Sequence, residues 1–132
     1  MNGRVYSMVL LTSLTLVALL RAQTPGREIA ITIDDLPAAG LGSGSETLEM
    51  TAKLLGTLRD QKVPAVGFVN ERKLYRQAGE VDQRIKALAM WLDDGFELGN
   101  HTFSHASLSR VSLKEWEEEV VRGETVTALL LA

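Results

Sequence analysis

The chain has 132 residues, of which 45% are hydrophobic and 23% charged, and its formal net charge is −3. That length holds one domain of ordinary size, and the composition is that of a folded protein. The small negative charge excludes a global basic field, so we expect no nucleic-acid partner. The absence of cysteine excludes disulfides, thiolate metal sites and a cysteine nucleophile.

The N-terminal residues have the features of an export signal. Arg4 precedes a stretch from Met8 to Leu20 that is almost wholly apolar. This stretch is shorter than the roughly 20 residues of a membrane-spanning helix, but it fits the apolar region of a signal peptide. We therefore expect a signal peptide over residues 1–22, a mature domain over 23–132, secretion or transfer to the periplasm, and no stable membrane span. A buried helix is the alternative.

The first predicted elements are a strand and a helix. Residues 28–33 are nearly continuously apolar and mostly β-branched, which is typical of a strand covered on both faces. After a glycine-rich loop, Ser45 is a candidate N-cap, with Glu46 and Glu49 in the first turn. Apolar residues at helical spacing then predict a helix as far as about Gln61.

The remaining elements alternate in the same way. A second short strand is predicted from Ala65 to Val69, and an amphipathic helix from Val81 to Leu92. A third strand is predicted from Phe96 to Gly99. Ser112 and Glu115 form a capping box that opens a last helix.

This order of elements predicts an α/β fold. Alternating strands and helices form a parallel sheet of β-α repeats, either an open doubly wound sheet or part of a barrel. In both architectures the active site lies at the carboxyl ends of the strands. Asp34 and Asp35 follow the first predicted strand, and His101 follows the third.

Two adjacent carboxylates after a buried strand are the first candidate site. Burying Asp34 and Asp35 is costly unless a cation or hydrogen bonds compensate them. A bound metal would do so, with one carboxylate as ligand and its neighbour free to accept a proton. A turn or capping role is the alternative, and Asp93 and Asp94, before Gly95, show the same dipeptide in what we interpret as a plain turn.

The two histidines of the chain are the second candidate site. His101 and His105 lie four residues apart, so both imidazoles would face one point if the segment were helical. Two imidazoles and one carboxylate on one side of a divalent ion leave open positions for water and substrate. A pair of surface histidines is the alternative interpretation.

These motifs resemble those of the polysaccharide deacetylases (NodB homology domain). Residues 31–37 resemble the family's first motif, although Ile33 stands where the family usually has Phe. Residues 97–105 resemble its second motif, a His-[Ser/Thr]-x-x-His stretch introduced by Gly-Asn, and Phe68 to Asn70 is similar to its second strand. The resemblance covers roughly residues 28–122.

The resemblance implies a partial distorted (β/α) barrel and hydrolysis of N- or O-acetyl groups on carbohydrate, such as N-acetylglucosamine polymers. Carried over by position, Asp35, His101 and His105 would bind a divalent metal, commonly zinc, and Asp34 would be the general base. The metal would polarise the acetyl carbonyl while Asp34 accepts a proton from the attacking water. The sequence leaves open whether the substrate is chitin, peptidoglycan, xylan or a small molecule.

The family's later motifs have no counterpart here. They supply a groove-lining arginine and aromatic residues, an aspartate that tunes the base, and a histidine general acid, whereas this chain has no third histidine. We therefore expect a truncated gene product that folds poorly and turns over little, because half a barrel leaves a strand edge and apolar surface uncovered.

Three alternatives belong to other functional classes. A phosphorylation-dependent receiver domain also has an acidic pair after its first strand, but it needs an aspartate where residues 99–101 are Gly-Asn-His. A dehalogenase-type phosphatase needs Asp-x-Asp, and Leu36 takes the place of the second aspartate. A non-catalytic metal- or sugar-binding remnant would share the metal site and release no acetate.

One cluster of basic residues lies outside both motifs. Arg72, Lys73 and Arg76 lie close together in the sequence, and Glu71 and Glu80 flank them. Because acids stand on both sides, we interpret the cluster as a solvated face.

Overall fold

The computed structural model describes residues 28–38, 40 and 42–132. Its strands are β1 (Thr32–Leu36), β2 (Val66–Val69) and β3 (Glu97–Asn100), and its α-helices are α1 (Gly44–Asp60), α2 (Val81–Asp93), α3 (Leu113–Arg122) and α4 (Thr125–Leu131). Two short 3-10 helices, Glu71–Tyr75 and Ala78–Glu80, connect β2 to α2. The expected signal peptide, residues 1–22, lies outside the described residues. Within them, no helix has the length and apolar character to cross a membrane.

The three strands form one parallel sheet with β2 in the centre. Each strand lies beside its successor in the chain, and a helix connects each pair. Connections of this kind are right-handed. Because both connections run in the same direction across the sheet, α1 and α2 lie on the same side of it. The two helices pack against each other there. The predicted α/β fold with a parallel sheet is confirmed, and the consecutive strand order is that of a (β/α) barrel.

The core lies between the sheet and these two helices. Trp91 of α2 is almost fully buried and meets the ring of Phe96 edge-on at 5.8 Å. A Cβ atom on Gly67 would lie 3.1 Å from the Trp91 ring and 2.3 Å from a methyl of Leu36, so a larger residue at this position of β2 would require both side chains to shift. The buried members of the core cluster are Leu36, Leu55, Leu58, Ala65, Val69, Leu74, Leu88, Trp91 and Leu98.

The first strand lies further along the chain than predicted. It spans Thr32–Leu36 rather than residues 28–33, and it is not covered on both faces, because Thr32 and Asp34 are exposed. Ile29 and Ile31, which the prediction placed in the strand, precede it and are 82% and 40% exposed. Strand pairing explains the difference: β2 begins at Val66, which is the partner of Thr32. The apolar pattern therefore misplaced this strand, and both aspartates lie within it.

The start of the first helix also differs from the prediction. Ser43, not Ser45, is the N-cap of α1, and Ser43 and Glu46 form a reciprocal capping box. Both serines have the side chain that capping requires, but only Ser43 has the acidic residue three positions later. Glu49 instead pairs with Lys53 at 2.7 Å.

The other predicted boundaries are close to those observed. The third strand is shifted by one residue, and the capping box of Ser112 and Glu115 at the start of α3 is confirmed. Of the second aspartate pair, Asp93 ends α2 and Asp94 lies in the turn that follows, where Gly95 has a φ of 82°. There the Asp94 carboxylate accepts hydrogen bonds from Arg59 at 3.0 and 3.2 Å.

Candidate metal centre

The first candidate ligand, Asp35, lies near the end of β1 in an unusual backbone conformation. Its φ is 71°, in the left-handed region that few residues other than glycine adopt. The pairing of β1 with β2 is irregular between Ile33 and Leu36, on either side of the two aspartates. The regular alternation of side chains is therefore interrupted at Asp35, at the carboxyl end of the sheet.

The two histidines converge without a helix. The segment 101–105 is a loop in which Thr102 and His105 have φ values of 64° and 65°. The helical condition is therefore not met, yet the two imidazole rings lie 4.7 Å apart at an angle of 88°. The left-handed residues turn the chain back on itself and bring the rings together.

The histidine loop is held from one side by Asn70, which follows β2. The buried Asn70 amide donates to the carbonyl oxygens of His101 and of Thr102, the latter at 3.2 Å. The backbone N–H of Asn70 donates to Leu36, next to Asp35, at 3.1 Å. One residue therefore ties both ligand-bearing segments to the central strand.

The loop is held from the other side by α3. The Glu119 carboxylate accepts from the backbone N–H and the hydroxyl of Ser104, at 2.6 and 2.7 Å. A Cβ atom on Gly123 would lie 2.6 Å from the backbone of Thr102, so only glycine permits this close approach. The guanidinium of Arg122 covers the ring of Phe103 at 4.1 Å.

The predicted metal ligands meet in space. One donor atom each of Asp35, His101 and His105 lies within 4.8 Å of the others, and Asp35 Oδ1 is 4.0 Å from His105 Nε2. Donors about 2.1 Å from a tetrahedral zinc ion lie about 3.4 Å apart, so small side-chain rotations would close the set. Two imidazoles and a carboxylate also suit a borderline divalent cation. The residues present therefore fit such an ion.

A lysine that the sequence analysis did not connect with the site lies against Asp35. Lys73 Nζ is 2.9 Å from Asp35 Oδ1 and 3.1 Å from its backbone oxygen. The hydrogen bond from Lys73 is the main reason why the pKa of the Asp35 carboxyl lies below its ordinary value. Partial burial opposes this effect, and the charges of Lys73 and the two histidines reinforce it.

Asp34, the predicted base, is exposed. Among the described residues it has no ion-pair partner. It is adjacent in sequence to the candidate ligand Asp35 and lies at the same end of β1. Sequence reasoning missed Lys73, Asn70 and Glu119, because long-range contacts alone bring them to the site.

Comparison with known proteins gives one family. The model of the polysaccharide deacetylase family matches residues 21–129. A peptidoglycan-N-acetylglucosamine deacetylase of Bacillus cereus is 30% identical over 99 residues, which are 75% of this chain and 30% of that protein.

Solved structures show the same fold. The Bc1960 peptidoglycan N-acetylglucosamine deacetylase has a TM-score of 0.58 at 26% identity, over 78% of this chain and 41% of that one. The peptidoglycan deacetylase PdaC from Bacillus subtilis has a TM-score of 0.56 at 26% identity, over 80% and 45%. The chitin deacetylase of Colletotrichum lindemuthianum, at 23% identity and a TM-score of 0.55 over 76% and 39%, shares the fold.

The chain thus spans between 30% and 45% of the length of these relatives. The family match covers nearly all of the described residues, including both motifs of the candidate metal centre. It argues against the receiver-domain and phosphatase alternatives and confirms the family expected from the motifs. The chain belongs to the polysaccharide deacetylase family.

Proposed function

We propose that this protein is a metal-dependent hydrolase that removes acetyl groups from N-acetylated or O-acetylated carbohydrate. The observation that carries the proposal is the convergence of Asp35, His101 and His105 at the carboxyl ends of β1 and β3. The chain's membership of a deacetylase family supports the same chemistry. Zinc is the first candidate for the ion, since it binds two imidazoles and a carboxylate in open catalytic sites.

Each site residue has a distinct role in this proposal. Asp35, His101 and His105 hold the ion, which when bound would polarise the acetyl carbonyl and acidify water. Asp34, exposed and next to the ligand Asp35, accepts the proton of the attacking water as general base. Asn70 and Glu119 keep the histidine loop in the conformation that brings its two rings together.

The proposed substrate is a polymer or oligomer that contains N-acetylglucosamine. Relatives from bacteria are named for deacetylation of that sugar in peptidoglycan, and the fungal relative for deacetylation of chitin. Since both polymers lie outside the cytoplasm, we also propose that residues 1–22 direct export and that residues 23–132 act outside the cell or in the periplasm.

Metal binding is the first test of this proposal. The chain, stripped with a chelator, should take up about one zinc ion when titrated in a calorimeter. His101→Ala and Asp35→Asn should each weaken zinc binding by at least about a hundredfold, because each removes one of three ligands. Asp93→Asn is the matched control, since it neutralises an exposed acid in the corresponding dipeptide of the α2 turn.

The outcomes separate the possible functions. A deacetylase is supported if the wild type takes up zinc and the two ligand variants do not, and if the wild type releases acetate from an N-acetylglucosamine oligomer and Asp34→Asn does not. Zinc uptake without acetate release at high protein concentration supports the non-catalytic metal-binding remnant. Equal zinc binding by wild type and both ligand variants would contradict the site itself.

A further inference from the structure

A cavity of about 630 Å³ opens beside the metal centre, between the first 3-10 helix and the histidine loop. Its walls are Asn70, Arg72, Lys73, Tyr75, Arg76, Phe103 and Ser104. Four of these residues also belong to the candidate metal centre: Lys73 contacts Asp35, Asn70 binds the histidine loop, and Phe103 and Ser104 lie within that loop. The cavity therefore adjoins the candidate metal centre, and its volume is that of an ordinary ligand pocket.

Two acids, Glu71 and Glu80, flank the basic residues of the cavity in the sequence, but they do not neutralise the charge of those residues. Glu71 is buried on the other side, where its Oε1 accepts from the backbone N–H groups of Val126 and Thr127 at 2.7 Å. Glu80 accepts from the guanidinium of Arg84 at 2.8 Å. Arg72 and Arg76 are exposed, as a solvated face requires, but the two acids do not balance their charge, because folding directs both acids elsewhere.

The arginines of the cavity keep their charge available. In the part of the chain that the structure describes, no carboxylate lies within 4.0 Å of the guanidinium of Arg72 or Arg76. Both side chains are exposed, and Arg76 contacts the backbone oxygen of Gly40 through one nitrogen. Their remaining N–H donors have the planar arrangement that matches a carboxylate.

Two aromatic rings complete the cavity. The rings of Tyr75 and Phe103 lie 6.5 Å apart, inclined at 35°, and Tyr75 is 51% exposed. Exposed aromatic side chains with a polar tip are common in binding sites, because one part can be apolar while the other is hydrated. A pyranose ring presents a similar mixture of C–H groups and hydroxyls.

We propose that this cavity binds the carboxylate of an acidic sugar next to the acetylated sugar of the substrate. Arg72 and Arg76 would hold the carboxylate, and Tyr75 would contact the sugar ring. The inference rests on the proposed function and deepens it, because it selects an anionic, carboxylate-bearing saccharide over a neutral one. The free carboxylate of the lactyl group of a muramic acid and the carboxylate of a uronic acid carry this same chemistry.

Binding without turnover tests the cavity. We would titrate the full chain, in the presence of a chelator, with the N-acetylglucosamine–N-acetylmuramic acid disaccharide, with its methyl ester and with neutral chitobiose. The acid should bind about tenfold more tightly than the ester or chitobiose, and added salt should reduce that preference. If a glucuronate-containing disaccharide is preferred over the neutral ligands to the same extent, the cavity is a site for acidic sugars in general. If its preference is weaker, the cavity is a site for the lactyl carboxylate.

Variants identify the residues responsible. Arg72→Gln combined with Arg76→Gln should abolish the preference for the acid, while Arg72→Lys combined with Arg76→Lys should restore part of it. Lys86→Gln, which removes an exposed charge from α2, should leave the preference unchanged.

Equal binding of acid and ester by the wild-type chain would overturn the proposal without any variant, and so would a preference that survives in the Gln variant. Because this assay needs neither metal nor acetate release, its failure is distinct from failure of the proposed deacetylase. Loss of zinc binding in His101→Ala with an intact preference for the acid would leave the cavity established on its own.

Discussion

At the scale of single residues, the side chain of Asn70 holds the histidine loop from the end of the central strand. It is 1% exposed and donates to two backbone carbonyls of the histidine loop, His101 and Thr102. Neither carbonyl belongs to a helix or strand, so the loop conformation depends on side chains rather than on secondary structure.

Asn70→Ala should weaken zinc binding by about tenfold to a hundredfold, because outer residues that orient metal ligands have effects of that size. It should also lower the free energy of unfolding by about 2 kcal/mol, since buried acceptors lose their donor. Calorimetric zinc titration and denaturant unfolding measure the two effects. Gln77→Ala, which removes an exposed amide without a capping hydrogen bond, is the control. Unchanged zinc affinity in Asn70→Ala would show that the loop holds its shape without this amide.

Lys73 acts on the same site through its charge. Its ammonium group is 2.9 Å from Asp35 Oδ1, and its side chain is only 13% exposed, so a cation bound here would share one carboxylate with this lysine. Lys73→Met should therefore bind zinc about tenfold more tightly, because a nearby positive charge no longer opposes the ion. Lys73→Arg keeps the charge and should resemble wild type in the same titration. Weaker zinc binding by Lys73→Met would mean instead that the lysine mainly orients Asp35.

At the scale of elements, α1 and α3 each begin with reciprocal hydrogen bonds. At the start of α3, the Glu115 carboxylate accepts from the backbone N–H of Ser112 at 2.8 Å and from its hydroxyl at 2.7 Å. These bonds hold the pKa of Glu115 below its ordinary value of 4.5. A depressed pKa in the folded state means that the stabilisation is present above pH 4.5 and is lost as the pH falls through the lower value.

Glu115→Gln should consequently lower the Tm at neutral pH, and the difference from wild type should shrink as the pH falls below 4.5 and the wild-type carboxyl becomes protonated. Thermal melts followed by circular dichroism across this pH range give the comparison. Glu117→Gln removes the same charge from an exposed position on α3 that is not part of the capping box. If the difference in Tm between Glu115→Gln and wild type stays constant with pH, the effect comes from the shape of the side chain and not from its charge.

At the scale of the whole molecule, apolar side chains remain on the surface of the last two helices. Val121 is 70%, Leu129 76% and Leu131 57% exposed. β1 and β3 are also the outer strands of the described sheet. Exposed apolar residues and unpaired strand edges both favour association between chains.

We therefore expect the chain to self-associate as its concentration rises. The variant Val121→Glu, Leu129→Glu should shift it toward monomer, because the new charges oppose burial of this surface. Light scattering coupled to size-exclusion chromatography measures the change, and Lys86→Glu controls for the altered net charge. A wild-type chain that is monomeric at all concentrations and melts cooperatively would contradict both this prediction and the expected poor folding.

Much of the fold could be predicted from local patterns. The helices α1 and α2 follow from apolar residues at helical spacing, the capping box of Ser112 and Glu115 follows from their separation, and the parallel sheet follows from the alternation of elements. These features depend on neighbours a few residues apart, which the sequence displays directly. The boundary of β1 could not be obtained in this way, because pairing with β2 sets it.

The sequence by itself determined the family and the candidate ligands, since Asp35, His101 and His105 stand in short motifs whose chemistry is visible in the residue types. Tertiary structure decided how those ligands meet: left-handed residues and the contacts of Asn70 and Glu119, rather than a helix, bring the rings together. It also decided that Lys73 lies against Asp35 and that Glu71 and Glu80 turn away from the basic cavity. The physical reason is the same in each case: hydrogen bonds and ion pairs between distant residues are formed only after the chain has packed, and no local pattern encodes their partners.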